Sequence, residues 1–433
     1  MNAPLPSARK GQVGPVMHVL MHDQPVAELR SPRAGTIKLT YLPQAAQVTR
    51  GLSCSLPVAG GSYTGDRVTH WLAGLLPDRG EVLTRWRAQY GVKRLDPYAL
   101  LWHVGEDVAG AARFVRPERL ESHSDARDVE PLDDAAIGER IAALARDASG
   151  WAPSAGSGQF SLAGAQAKFA LAWTAGGWAE PYGPHPTTHI FKPAIPGMAD
   201  QDLNEHLTMR LAASVGLPVA ATDLMEFDGA RAVVVTRFDR YQDPAGTWRR
   251  VHQEDAVQAL GMSPSLKYEQ HNGPGVRAIV ELLRTQVTGG HAASDIETFV
   301  DAVALNQLTV GTDAHARNYA LLHHGPQTRL APLYDLNSFL PYTEGRRASL
   351  AMKVGFTERD PARVSARDWD ELARDCRLDP GWTIARVHDM AQRLLVAADT
   401  VLADEDATRW GSPLPDVLHE RLSTHVRHCL EQL

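Results

Sequence analysis

TVGTDAHARNYALLHH, residues Thr309 to His324, sets an acid, two basic side chains and an amide close together between apolar stretches. APLYDLNSF follows at Ala331–Phe339 and brings a second acid, Asp335, seventeen positions after Asn318. Asp313, five positions before Asn318, completes an order of oxygen-bearing side chains: acid, amide, acid. On its own, D-x-x-x-x-N also fits a polar turn between a helix and a strand, and Leu-Tyr-Asp also fits an ordinary strand end.

Phosphoryl transfer from ATP gives these residue types a reason to occur together. A catalytic-loop Asp accepts the proton of the acceptor hydroxyl, and an Asn five residues on, with a later Asp, holds Mg²⁺. The transition state is stabilised by positioning and charge neutralisation, and Mg²⁺ takes oxygen from one or two protein groups besides phosphate. Asp313 then has the role of catalytic base, and Asn318 and Asp335 that of metal ligands.

Upstream segments supply the partners this chemistry needs. SLAGAQAKFAL begins at Ser161, and its Gly164, flanked by alanines, fits a tight turn whose backbone N–H groups face phosphates, with Gln166 and Lys168 as further donors. A plain hairpin turn fits the same residues, and no G-x-x-x-x-G-K-[ST] is present. Lys192 ends the apolar strand THIFKPA, where a kinase lysine grips the α- and β-phosphates, although a snorkelling edge lysine fits too. Glu205, early in the next helix, suits an ion pair with Lys192 or a favourable place on the helix dipole. VVVTRFDR reads as a buried strand running into a hinge, with Thr236, Arg237 and Phe238 offering backbone groups to adenine.

The organisation agrees with two lobes. Residues 1–118 read as a small α+β module: VMHVLMHDQPVAEL and GTIKLTYL as strands, DRVTHWLAGLLP and EVLTRWRAQYG as helices. Residues 119–159 read as a linker with one helix, AAIGERIAALARDA, and a Gly/Ser-rich end. Residues 160–252 form a β-rich lobe with the helix DLNEHLTMRLAASVG inserted, its apolar face on Leu203, Leu207, Leu211 and Val215. Residues 253–433 read as an α-helical lobe, with QEDAVQALG, GVRAIVELLRTQV, DIETFVDAVALNQLTVG and WTIARVHDMAQRLLVAADTVL as helices.

Bulk properties bound the rest. A chain of 433 residues with 44% hydrophobic and 22% charged residues is globular and long enough for two or three packed units. Its net charge of −7 argues against binding nucleic acid unaided. Cys54, Cys376 and Cys429 are few and far apart, with no CxxC pair for a zinc knuckle or a disulfide framework, which suits a reducing cytoplasm. MNAPLPSARKGQ is no secretory signal, and no run approaches the ~18 apolar residues of a membrane helix.

Taken together, FSLAGAQAKFAL, PTTHIFKP, NEHLTMRLAASVGLPV, RFDR, QEDAVQALG, KYEQHNGPG, GTDAHARNYALL and LAPLYDLNS resemble the HipA family of serine/threonine kinases, the toxins of bacterial toxin–antitoxin pairs. SCSLPV, WLAGLLPDRG and ALLWHVGEDVAGAARFV extend the resemblance to the N-terminal module, so that it covers nearly the whole chain in order. It implies an α+β, two-lobed kinase-like fold behind that module. It implies that Ala163, Gly164, Ala165, Gln166, Ala167 and Lys168 form the phosphate loop, and that His315, Arg317 and Tyr334 line the site. Ser161 matches the serine that relatives autophosphorylate, which ejects the loop and inactivates the enzyme. The resemblance further implies ATP and Mg²⁺ as cofactors and a helix-turn-helix antitoxin dimer as partner, through which operator DNA is bound and transcription repressed. The implied substrate is a serine of an aminoacyl-tRNA synthetase, the glutamyl enzyme first, a route to persistence. Ala314, Arg317 and Ala167 depart from residues common in relatives, and Asp-Leu-Asn replaces Asp-Phe-Gly. Two other functions stay open at this point: a small-molecule or lipid kinase, since D-x-H-x-x-N also resembles phosphoinositide kinases, and a non-catalytic corepressor.

Overall fold

The computed structural model describes residues 15–33, 35–93, 95–120, 129–149, 161–343 and 347–433. The N-terminal stretch MNAPLPSARKGQ and most of the Gly/Ser-rich end of the linker lie outside them. The chain divides into two compact units. The first comprises residues 1–193, 226–265 and 322–326, and the second residues 194–225, 266–321 and 327–433.

The first unit holds two larger sheets. A five-stranded antiparallel sheet runs in the order Ser62–Thr64, Thr36–Tyr41, Gln24–Arg33, Val16–Met21, Ala112–Val115. Thr36–Tyr41 shows why the sequence makes a strand there: Ile37, Leu39 and Tyr41 are buried while Thr36, Lys38 and Thr40 are exposed, the period of two that pleating imposes. His22 and Asp23 turn the first hairpin with φ of 50° and 61°, the left-handed pair that a tight hairpin needs. Three helices, Asp66–Gly74, Gly80–Gln89 and Pro97–Val104, accompany this sheet, and Trp71, Trp86 and Phe114 fill the core. The third starts on an Asp96 side chain that accepts from the Tyr98 amide at 2.9 Å, with Pro97 in the first turn.

The second sheet of this unit places Ala230–Thr236, His189–Lys192, Phe169–Thr174, Gly177–Pro181 and Val129–Pro131 side by side. Phe169 and Phe191 stack at 4.8 Å between ring centres, with Trp178 edge-on to Phe191 at 4.9 Å. The segment read as a linker thus contributes an edge strand, Val129–Pro131, and the helix Asp134–Arg146 to this unit.

A buried ionic cluster explains why residues before and after the linker share one unit. The Asp107 carboxylate accepts from Arg240 at 2.9 Å, from Arg250 Nε at 3.1 Å and from the Thr187 hydroxyl at 2.6 Å. Asp239 accepts from Arg237 Nε at 2.9 Å and from the Gly110 amide at 2.7 Å. All five charged groups are buried. Burial works to raise the carboxyls, but the guanidiniums outweigh it, so Asp107 is held well below the usual range and Asp239 is lowered to about 2.

The second unit is mainly helical: Gln201–Ser214, Val276–Gln286, Ala292–Thr309, Ala366–Asp375, Pro380–Val401 and Leu414–Gln432. Ala366–Asp375 and Leu414–Gln432 were not named as helices from the sequence. Gln201–Ser214 buries more than its leucine face: Asn204, Glu205, His206 and Thr208 are buried as well, and His206 bonds Thr222 at 3.0 Å and Asp406 at 2.8 Å. This helix lies in the second unit, apart from the β-rich segment into which it is inserted in the chain. QEDAVQALG is only partly helical. His252–Asp255 is a strand, and a four-residue helix, Ala256–Ala259, follows from a capping box between Asp255 and Gln258.

Candidate active site

In the second unit, the Ala292–Thr309 helix ends at Val310 in left-handed backbone, φ 55°. A β-branched residue rarely sits there, so the surroundings must hold it. They do: the Phe339 amide donates to the Val310 carbonyl at 3.1 Å, and the Ser338 hydroxyl to the Thr309 carbonyl at 2.6 Å. Gly311 is required, because a Cβ there would lie 2.2 Å from Asn306 Oδ1. The loop that follows carries Asp313, His315, Arg317 and Asn318, the last two in a single 3₁₀ turn, Ala316–Asn318.

Asp335 approaches the same loop. Its neighbour Tyr334 donates its hydroxyl to the Arg317 carbonyl at 2.7 Å. Asp335 itself is left-handed, φ 60°, which an Asp tolerates better than most residues. The segment is fixed from behind by Gln201, which bonds Asn337 at 2.9 Å, and by Asn204, which bonds the Ser338 carbonyl at 2.6 Å. The Leu333 amide donates to the Pro218 carbonyl at 2.8 Å. Asp335 and Asn318 therefore each stand one residue beyond a direct tie between 334 and 317. Asn318 is buried, yet its carboxamide makes no hydrogen bond among the described residues. A carboxylate and an amide oxygen are ligand types that suit a hard divalent cation.

Asp313 is exposed, and its carboxylate accepts a hydrogen bond from the Tyr268 hydroxyl. Tyr268 also meets His315 edge-on at 4.9 Å, and the Lys267 carbonyl accepts from the Ala316 amide at 3.1 Å. Burial pushes the His315 imidazole below its ordinary range, against the pull of Asp313 and Asp335, while Lys267 and Arg317 act with burial. His315 is neutral at neutral pH, and its Nδ1 has no partner among the described residues. Lys267 and Tyr268 were missed as site residues: KYEQHNGPG was matched to the family without giving either residue a role, and the contact spans 45 positions.

The first unit carries the nucleotide-contact candidates. Gly164 has φ 110°, a backbone conformation that residues with a side chain rarely adopt, and Lys168 Nζ lies against its open face. Lys168 donates to the Ala163 carbonyl at 2.9 Å, and Gln166 to the Pro193 carbonyl, next to Lys192, at 3.1 Å. Ala165 is exposed while Ala167 and Lys168 are buried. Lys192 pairs with Val233, and His189 with Thr236, so Lys192 and Thr236 mark opposite ends of one strand pair. Arg237 is different. Its amide donates to the Thr188 carbonyl at 2.9 Å and its side chain belongs to the ionic cluster.

Ser161 is wholly buried. Its hydroxyl donates to the Leu75 carbonyl at 2.8 Å and its amide to the Asp107 carbonyl at 2.8 Å. Close by, the Asp78 amide donates to the Gly164 carbonyl at 3.0 Å. The N-terminal module thus clasps the loop at both ends.

Known protein families match most of this chain. A model of the HipA-like C-terminal domain matches residues 160–398, and one of the HipA N-terminal domain matches residues 17–115. The chain belongs to the HipA family of kinases. It is 32% identical over 395 residues to the putative kinase Y4mE of Sinorhizobium fredii, covering 90% of this chain and 92% of that protein. It is 30% identical over 381 residues to the serine/threonine-protein kinase toxin HipA of Shewanella oneidensis, covering 85% of each. Among solved structures, HipA from the Shewanella oneidensis complex of HipA, HipB and operator DNA superposes with a TM-score of 0.79 at 26% identity, over 96% of this chain and 99% of that one. The α+β kinase-like fold expected from the sequence is the fold found. Among the described residues, no helix is long and apolar enough to cross a membrane.

Proposed function

We propose that this HipA-family kinase transfers the γ-phosphoryl group of ATP to a protein serine and acts as the toxin of a toxin–antitoxin pair. The observation that carries the reading is the single loop on which an exposed Asp313, held by the Tyr268 hydroxyl, stands five residues from Asn318, with Asp335 tied alongside through Tyr334. Asp313 accepts the proton of the acceptor hydroxyl. His315, uncharged, cannot form a competing ion pair with it. Asn318 and Asp335 would hold Mg²⁺, which supplies charge neutralisation to the phosphates when bound.

Lys192 would contact the α- and β-phosphates, Ala163 to Lys168 would cradle them, and Arg317 would add a donor. Since the Arg237 amide is committed to Thr188, the adenine edge falls to the backbone of Thr236 and Phe238. Autophosphorylation of Ser161 would switch the enzyme off. A phosphate brings about −1.5 to −2 charge, and a wholly buried pocket facing the Leu75 carbonyl has no place for it, so the modified segment must leave.

The relatives' printed names, a kinase toxin and a complex with HipB and operator DNA, support an antitoxin dimer as partner, with DNA bound mainly through it. An aminoacyl-tRNA synthetase, the glutamyl enzyme first, is the proposed substrate. The test is radiolabelled ATP with purified synthetases, the wild-type chain and Asp313→Asn. Label on a synthetase serine with wild type alone supports the proposal; label on lipids only, or equal labelling by the variant, overturns it.

A further inference from the structure

The Cys54 thiol, the Glu254 carboxylate and the His323 imidazole lie in the first unit with their ligating atoms all within 4.8 Å of one another. They come from three distant stretches: the hairpin after Gly51–Ser53, the strand His252–Asp255 and the strand Ala320–His324. Nothing in the kinase chemistry uses them. We propose that these three side chains form a binding site for one Zn²⁺ ion, with water as fourth ligand, and that the ion staples the three segments together.

The donor set suits that metal. Sulfur and imidazole nitrogen select a borderline-soft cation over Mg²⁺ or Ca²⁺, and one carboxylate oxygen is a common third ligand. Thiolate and carboxylate together carry two negative charges, which balance the ion. Binding releases the thiol proton to solvent, and His323 offers Nε2, the nitrogen that faces Glu254.

The supporting shell is in place. Glu254 is buried, and it is oriented by the Cys54 amide at 2.8 Å on Oε1 and by the Ser53 hydroxyl at 2.5 Å on Oε2. His323 Nε2 sits 3.0 Å from Glu254 Oε1 and is partly exposed, leaving a solvent side for the water. His252 stacks on His323 at 5.5 Å, but its Nε2 faces the Leu52 carbonyl at 3.0 Å and its Nδ1 the Ala111 amide at 3.4 Å, so it serves as a wall and not as a ligand. Burial, and then the Glu254 carboxylate, push the Cys54 thiol well up.

The experiment is a Co²⁺ titration of the full-length, chelator-treated protein in excess Mg²⁺, which masks oxygen-only sites. The expected result is a near-ultraviolet thiolate-to-cobalt band that saturates at one equivalent and is abolished by one equivalent of Zn²⁺. Cys54→Ser should lose the band, and His323→Gln should weaken Co²⁺ binding at least tenfold. Ser53→Ala, which removes only an orienting hydroxyl, should weaken it roughly 10–100-fold. No band in the wild type, or an equal band in Cys54→Ser, overturns the proposal. Near-ultraviolet circular dichroism of each variant must match the wild type for its titration to count, and the wild-type result alone can refute the site.

Discussion

At the scale of single residues, the site is a set of side chains whose environment assigns their tasks. Asp313 is exposed and held by one neutral donor, which leaves a lone pair for an incoming hydroxyl. Replacing it by Asn removes the proposed base, so turnover should fall by ~10²–10⁴-fold while nucleotide affinity stays near wild type, as measured by single-turnover transfer and by calorimetry. Tyr268→Phe keeps the ring against His315 and deletes only the hydroxyl. It should lower kcat with little change in KM for ATP, and an unaltered kcat would show that Tyr268 merely packs. Ser161 gives a third test: after incubation with MgATP, mass spectrometry should find phosphate there, and Ser161→Ala should stay active longer in a time course. The candidate trio Asp313, Asn318 and Asp335 could be read from the sequence because its spacing is local. Tyr268 was not, because its role appears only when two loops far apart in the chain meet.

Elements follow the same division. Strands with strict alternation, such as Thr36–Tyr41, and helices with a single apolar face, such as Val276–Gln286, declare themselves in sequence. Gln201–Ser214 does so only in part: its leucine stripe is visible, but nothing local says that Asn204 and Gln201 turn inward to hold residues 337 and 338. RFDR is the clearest case of a motif with two jobs. Read for its backbone it is the proposed hinge, yet Arg237, Asp239 and Arg240 also build the buried cluster with Asp107 and Arg250. Removing one partner strands the others in a dry interior. Asp107→Ala should therefore destabilise the first unit by about 3–5 kcal/mol in urea unfolding. A change under about 1 kcal/mol would mean that water reaches the arginines.

For the molecule as a whole, buried imidazoles set the acid limit. Burial lowers His103 from 6.5 to about 4, helped by Arg116, and lowers His252 from 6.5 to about 4, helped by His323. Both are neutral in the fold, whereas the unfolded chain takes up their protons below about 6.5. Stability should then be full above pH 6.5 and decline as pH falls toward 4, by a total on the order of a few kcal/mol, with little further loss from these two groups below that. Asp239, lowered to about 2, keeps its charge across the window. Urea midpoints measured from pH 7.5 to 4 check this, and a flat profile would refute it. The clasp on Ser161 has a last consequence. Because the Leu75 and Asp78 backbone grips residues 161 and 164, the proposed self-silencing at Ser161 would be paced by how firmly that grip holds. Variation at residues 75–78, remote in sequence from the chemistry, would act as a timer, lengthening or shortening each dose without altering the reaction itself.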